Sequence, residues 1–427
     1  MTTHRLPGMV LCDRSFSLPL DHDAPGAERI EVFAREVVQP GKEEADLPWL
    51  LFLQGGPGFE SPRPPAGAAW LPLALKEYRV LLLDQRGTGR SSRLDATTLA
   101  RFAPKEQARR LGLHRLDSIV RDCEAIRREL IGDGRWTVLG QSYGGFCATH
   151  YLSAFPEGLA AVLITGGLPP LTAHVDDVYR RTYVRCREKN EAYYARYPGD
   201  EELVRAVVRH LGEREVILPG GGRLSPERFQ QLGLAFGMSD GFEAVHYLLE
   251  SAFADGPEGR ELSYNFLVGY ERALGFSTNP LFCVLHEPIY CQGYAPRWSA
   301  QRVRAEFEEF APDAARGRVL FTGEMVYPWM MREVERLAPL ADVAELLAQR
   351  ADWPELYDLG RLARNDVPVV AAVYYDDMYV ERELSLEAAR AIRGARVWIT
   401  NEFEHDGLRV AGDRVLGRLL EMLRNGA

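Results

Sequence analysis

One stretch constrains this chain more than any other: Gly140-Gln141-Ser142-Tyr143-Gly144-Gly145. It stands between an apolar run, Trp136-Thr137-Val138-Leu139, and a segment of helical character near residues 146–154. A strand that turns straight into a helix holds its apex residue in a strained backbone conformation, and flanking glycines let strand and helix approach. Such a turn pushes the apex side chain, here Ser142, out at the carboxyl edge of a sheet. Backbone N–H groups and the positive end of the helix dipole then lie just behind it. A bare G-x-S-x-G is common; its place between strand and helix makes Ser142 a candidate nucleophile.

The surrounding pattern supplies the sheet. A partly alternating stretch from Ile30 to Val38 predicts a half-buried antiparallel strand. Trp49-Leu50-Leu51-Phe52-Leu53 and Val80-Leu81-Leu82-Leu83 are solidly apolar, as central strands covered on both faces are. Ile119, Cys123, Ile126 and Leu130 fall at i, i+4, i+7 and i+11, one stripe of a helix. With a further strand near residues 159–165, the alternation predicts an α/β fold: a mostly parallel central sheet with helices on both faces.

From about residue 168 to 360 the pattern is mostly helical. At Val367 to Tyr375 the buried-strand pattern returns, followed by a helix near 385–392, a strand near 396–400 and a closing helix near 408–423. The expected organisation is therefore a core in two parts, 1–167 and 361–427, interrupted by a helical cap, 168–360. Ser61-Pro62-Arg63-Pro64-Pro65 is expected as a surface loop.

Composition excludes several classes. The net charge of −10 argues against a nucleic-acid binder, which needs a basic stripe to neutralise phosphates. No apolar run approaches the ~20 residues of a membrane span. The first eight residues lack a basic-then-apolar signal pattern, so a cytoplasmic protein is expected. The six cysteines are scattered without a CxxC, which points to free thiols rather than a disulfide scaffold or zinc ribbon.

A serine hydroxyl is a weak nucleophile at neutral pH and needs a histidine base steadied by a carboxylate. On a sheet of this kind the chain order is Ser, then Asp or Glu, then His. His4, His22 and His114 precede Ser142, and His150 lies in the helix behind it. His174, His210, His246 and His286 fall in the insertion. His405, in the loop between the last strand and last helix, is the candidate base. Just past the strand at 367–375, Asp376 and Asp377 both qualify as its partner. Adjacent side chains point oppositely, so only one can face the histidine; the local pattern favours Asp377. Acyl transfer also needs two amide donors for the oxyanion. The N–H of Tyr143 is one, and Gly55 or Gly56 in Gln54-Gly55-Gly56-Pro57-Gly58, directly after a strand, supplies the other.

These motifs, together with Asp84-Gln85-Arg86-Gly87-Thr88-Gly89-Arg90-Ser91, resemble the larger branch of the proline iminopeptidases (prolyl aminopeptidases) of the α/β-hydrolase fold. Tyr375-Asp376-Asp377-Met378 is similar to the family's acid motif, in which Asp precedes Met, and His405-Asp406-Gly407 fits its histidine loop. Gln54 stands where the family usually has His, and Tyr143 where shorter members often have Trp. The resemblance implies a serine exopeptidase that releases N-terminal proline from peptides through an acyl-enzyme, with no metal or organic cofactor. It also implies cap glutamates that bind the charged secondary amine. Leu285-His286-Glu287-Pro288 and Thr322-Gly323-Glu324-Met325-Val326-Tyr327 are similar to family motifs, which nominates Glu287 and Glu324. Phe282, Tyr290, Tyr327 and Trp329 are candidates for a pyrrolidine pocket or for plain core. Asp84 and Arg86 read as loop-holding residues. The competing readings are a carboxylester hydrolase, an aminopeptidase of other specificity, and a catalytically inactive binding protein.

Overall fold

The computed structural model describes residues 2–66, 68–256 and 259–426. Its strands are β1 (Thr2–Leu6), β2 (Met9–Pro19), β3 (Arg29–Val38), β4 (Trp49–Leu53), β5 (Arg79–Leu83), β6 (Trp136–Gln141), β7 (Leu159–Thr165), β8 (Phe253–Gly256), β9 (Gly259–Leu262), β10 (Val369–Tyr374) and β11 (Ala395–Thr400). Nine of them form one sheet in the order β1-β2-β3-β5-β4-β6-β7-β10-β11. The pairs from β1 through β3 to β5 are antiparallel, and every pair from β5 to β11 is parallel. The molecule thus has the expected α/β architecture with a mostly parallel sheet.

The leucine-rich runs explain the layering. Leu51, Leu53, Leu81, Leu83 and Val138 point to one face, into a core shared with the helices Leu116–Ile131 and Tyr143–Ala154. Leu50, Phe52, Val80, Leu82 and Leu139 point to the other, against Trp70 and the C-terminal helix Gly412–Arg424. All ten are fully buried. Alternation along a strand with both faces covered demands apolar residues at every position.

Two strands precede the first one predicted: the edge strand β1 is almost wholly exposed, and the middle of its neighbour β2 is polar. One expectation needs correction. The closing helix is two helices, Gly407–Val410 and Gly412–Arg424, broken at Ala411. The break lets Gly412 pack on the Trp70 backbone, where a side chain would lie 2.9 Å from the Trp70 Cα. The proline-rich stretch is a loop, half-buried to exposed from Pro62 to Pro65 as expected, and it is anchored at Ser61. Ser61 is buried; its N–H donates to Asp84 Oδ1 at 3.2 Å and its hydroxyl to Leu83 O at 2.7 Å. Asp84 also accepts from Arg63 and from the Arg90 N–H, so it ties loops together behind the sheet edge.

Between β7 and β10 the regular elements among the described residues are helices, apart from the β8–β9 hairpin and one isolated bridge, joined by long irregular stretches. Parts of this segment meet the carboxyl ends of the parallel strands, and the meeting place is the site described next.

Candidate active site

β6 ends at Gln141 and the helix Tyr143–Ala154 begins two residues later, leaving Ser142 as the turn. Its backbone is at φ 52°, ψ −124°, a region that side-chain-bearing residues rarely adopt. Hydrogen bonds hold it there: the Ser142 N–H donates to Thr165 O at 2.9 Å, and the Gly145 N–H to Ser142 O at 2.7 Å. The motif's glycines answer to space. A Cβ on Gly144 would run into the Leu53 carbonyl oxygen at the end of β4, and one on Gly140 into the Gly144 carbonyl. Residue 55 is equally constrained, since a Cβ there would lie 2.9 Å from Ser142 Cβ and 3.5 Å from its Oγ. The 54–58 loop is therefore packed directly on the nucleophile candidate, and the Tyr143 N–H opens the helix behind it.

The acid and base meet across the ends of β10 and β11. His405 Nδ1 lies 2.7 Å from Asp377 Oδ2, with both side chains buried. Asp377 Oδ1 accepts from the Tyr379 and Val380 N–H groups at 2.9 and 3.0 Å, so the carboxylate is held in a fixed orientation. Asp376 points to solvent. The chain turns immediately after β10, and this turn places 377 rather than 376 against the histidine.

The helical segment grips the histidine loop. The His405 N–H donates to Gly237 O at 3.1 Å, and Asp406 accepts from the Ser239 N–H and hydroxyl at 3.1 and 2.6 Å. The Tyr379 ring stands edge-on to the imidazole, centroids 4.8 Å apart, and its hydroxyl donates to Leu234 O. Burial alone pulls the imidazolium down. Asp377, its hydrogen bond, Glu324 and Asp406 outweigh that pull and hold His405 above its ordinary value.

Ser142 and His405 line one cavity of about 310 Å³, together with Gln54, Gly55, Gly56 and Glu324. Its apolar walls include Phe59, Leu234, Met238, Phe276 and Phe282. Burial pushes the Glu324 carboxyl up to about 7, with Asp377 adding and His405 opposing. It is the one carboxyl among the described lining residues; its charged neighbour there is His405, and among the described residues no lysine or arginine pairs with it.

Glu287 is placed differently from the expectation. It is absent from this lining, and its Oε1 accepts from the Ala300 N–H at 2.9 Å, satisfying the start of the helix Ser299–Arg304. Burial pushes its carboxyl up to about 7 as well. Of the four candidate aromatics only Phe282 lines the cavity. Tyr327 hydrogen-bonds the Tyr183 hydroxyl at 2.8 Å and stacks on Trp329, while Tyr290 packs on Phe146. Phe59, Leu234, Met238, Ala273 and Phe276 were not foreseen; each is an ordinary apolar residue whose sequence context carries no sign of the cavity.

The α/β hydrolase fold family matches residues 48–205. The chain is 48% identical over 412 residues to a proline iminopeptidase of Aeromonas sobria, covering 96% of each. It is 38% identical over 415 residues to proline iminopeptidase aneH of Aspergillus aculeatus, covering 95% of this chain and 92% of that one. A solved proline iminopeptidase of Mycobacterium smegmatis aligns with a TM-score of 0.44 at 14% identity, over 97% of this chain and 98% of that one.

Proposed function

The chain belongs to the proline iminopeptidase family of α/β hydrolases, and from that membership we infer that it is a serine exopeptidase releasing N-terminal proline from peptides. His405 takes the Ser142 proton as Oγ attacks the prolyl carbonyl. Backbone N–H groups of Tyr143 and of Gly55 or Gly56 receive the oxyanion, where each donor contributes about 2.7–4 kcal/mol of transition-state stabilisation. The imidazolium, steadied by Asp377, protonates the departing amine, and water then hydrolyses the prolyl ester by the reverse path. None of these steps asks for a metal or organic group.

One observation carries the substrate assignment. In an N-terminal residue the amine is one carbon from the scissile carbonyl, so whatever binds that amine must share the cavity of the nucleophile. Glu324 is a half-buried carboxyl that opens on that cavity and, among the described residues, has no lysine or arginine paired with it. A charged secondary amine supplies the missing partner through charge-assisted hydrogen bonds, worth about 1.5–3 kcal/mol. An esterase for neutral substrates has no use for such a group. Glu287, bonded to Ala300, is assigned to holding the cap rather than to the amine.

Turnover of prolyl, alanyl and N-acetylprolyl p-nitroanilides by the wild type and Ser142→Ala tests this reading. Rapid cleavage of the free prolyl substrate, none of the blocked one, and none by the variant is expected. Equal cleavage of blocked and free substrates would refute it.

A further inference from the structure

The helix Pro280–Leu285 touches two parts of the site at once. Near its start it presses on the loop that carries Gly55 and Gly56. A Cβ on Gly58 would lie 2.7 Å from Leu281 Cβ and 2.8 Å from the Phe282 nitrogen, and Asn279 Nδ2 donates to Gly58 O at 3.1 Å. At its end stands His286, four residues after Phe282 and so on the same helical face. Phe282 forms cavity wall, and its ring lies 4.8 Å from the imidazole.

His286 is buried, and its Nε2 is 3.2 Å from the Glu324 carbonyl oxygen. A carbonyl only accepts, so Nε2 carries the proton. Nδ1 is buried with no hydrogen-bond partner among the described residues. Burial pushes the imidazolium down to about 4, which keeps the ring neutral at working pH. Glu324 itself lies in neither helix nor strand, so its backbone is not held by a regular ladder.

We propose that His286 is a positioning residue for the amine anchor: by holding the Glu324 carbonyl at the end of a helix whose start abuts the 54–58 loop, it sets the distance between the substrate's amine and the oxyanion donors. The helix is the spacer between the two recognition points of an aminopeptidase that takes one residue at a time. This role rests on Glu324 as the amine anchor.

The test compares a prolyl p-nitroanilide, which has the amine, with p-nitrophenyl acetate, which lacks it but uses the same nucleophile. His286→Leu removes the donor, and His286→Gln keeps an amide nitrogen near the Nε2 position. The ratio of kcat/KM for anilide over acetate is expected to fall by about three- to tenfold in His286→Leu, chiefly through KM, and to return in His286→Gln. In a Glu324→Gln background His286→Leu should cause no further fall, because both changes disable one interaction. Should the leucine variant not fold, His286→Asn, whose shorter amide falls short of the carbonyl, carries the same expectation. Equal losses on both substrates, an unchanged ratio, or multiplicative losses in the double variant would overturn the proposal. The two levels separate cleanly. If Glu324→Gln itself leaves the ratio unchanged, the anchor assignment falls. If Glu324→Gln lowers it and His286→Leu does not, only the positioning role falls.

Discussion

Replacing Asp377 by Asn changes the site by one atom, and the structure dictates the consequence. The carboxylate uses Oδ1 for two backbone donors, Tyr379 N–H and Val380 N–H, and Oδ2 for His405 Nδ1. An asparagine can keep its oxygen on the two N–H groups only by turning its NH2 toward the imidazole. The opposite flip would set that NH2 against two donors and forfeit both bonds, about 1–3 kcal/mol for each buried group left unmet. With an amide donor facing it, Nδ1 must present its lone pair, so the ring's proton moves to Nε2. His405 then cannot accept the proton of Ser142. The expected loss in kcat is about 10⁴-fold, or about 5.5 kcal/mol of transition-state stabilisation. Folding should persist, because the two backbone bonds remain. Initial rates on a prolyl p-nitroanilide, with thermal denaturation as a control on folding, give the answer. The exposed Asp376, changed to Asn in parallel, should stay within about twofold of wild type. A folded Asp377→Asn enzyme retaining more than a tenth of wild-type kcat would refute the tautomer argument and the assignment of Asp377.

Three further outcomes are expected. The base must be neutral to act, and its charge neighbours hold His405 above the ordinary histidine value, so kcat/KM should rise with pH through a midpoint above ~6.5. Glu324→Gln removes one of the charges that raise His405, so its acid limb should move to lower pH while KM for the prolyl substrate increases; a limb that stays put contradicts the placement of Glu324 beside the base. Gly144→Ala drives a methyl into the Leu53 carbonyl and should destabilise the fold by about 1–3 kcal/mol with loss of activity; an unaltered melting temperature would show the turn to be looser than described.

Much of the site was legible because short-range physics governs it. A glycine-flanked serine between strand and helix has few conformations open to it, and Ser142 adopts the strained one that the motif requires. His405 followed from chain order, since a sheet with this winding brings the loop after the last strand to the nucleophile. The cap glutamates were less legible. Glu287 and Glu324 sit in equally suggestive local sequences; Glu287 is buried and Glu324 half-buried, and desolvation raises both carboxyls to about 7. One spends itself on a helix start and the other opens on the cavity. No local pattern separates them, because the difference lies in what the rest of the chain brings alongside.

By itself, then, the sequence determined the strands that build the sheet, the sharp turn at Ser142 and the family to which the motifs point. Periodicity and steric limits act over a few neighbouring residues and leave their mark in the order of the letters. The sequence inclined to Asp377 over Asp376, and the turn after β10 sets Asp377 against His405; tertiary structure alone decided that Glu324 rather than Glu287 shares the nucleophile's cavity, and that Phe59, Leu234, Met238 and Phe276 wall it. It also decided that the backbone of the helical segment, through Gly237 and Ser239, holds the histidine loop in place. Those outcomes depend on the phase of a turn and on contacts between segments far apart in the chain, for which a folded chain is the only arbiter.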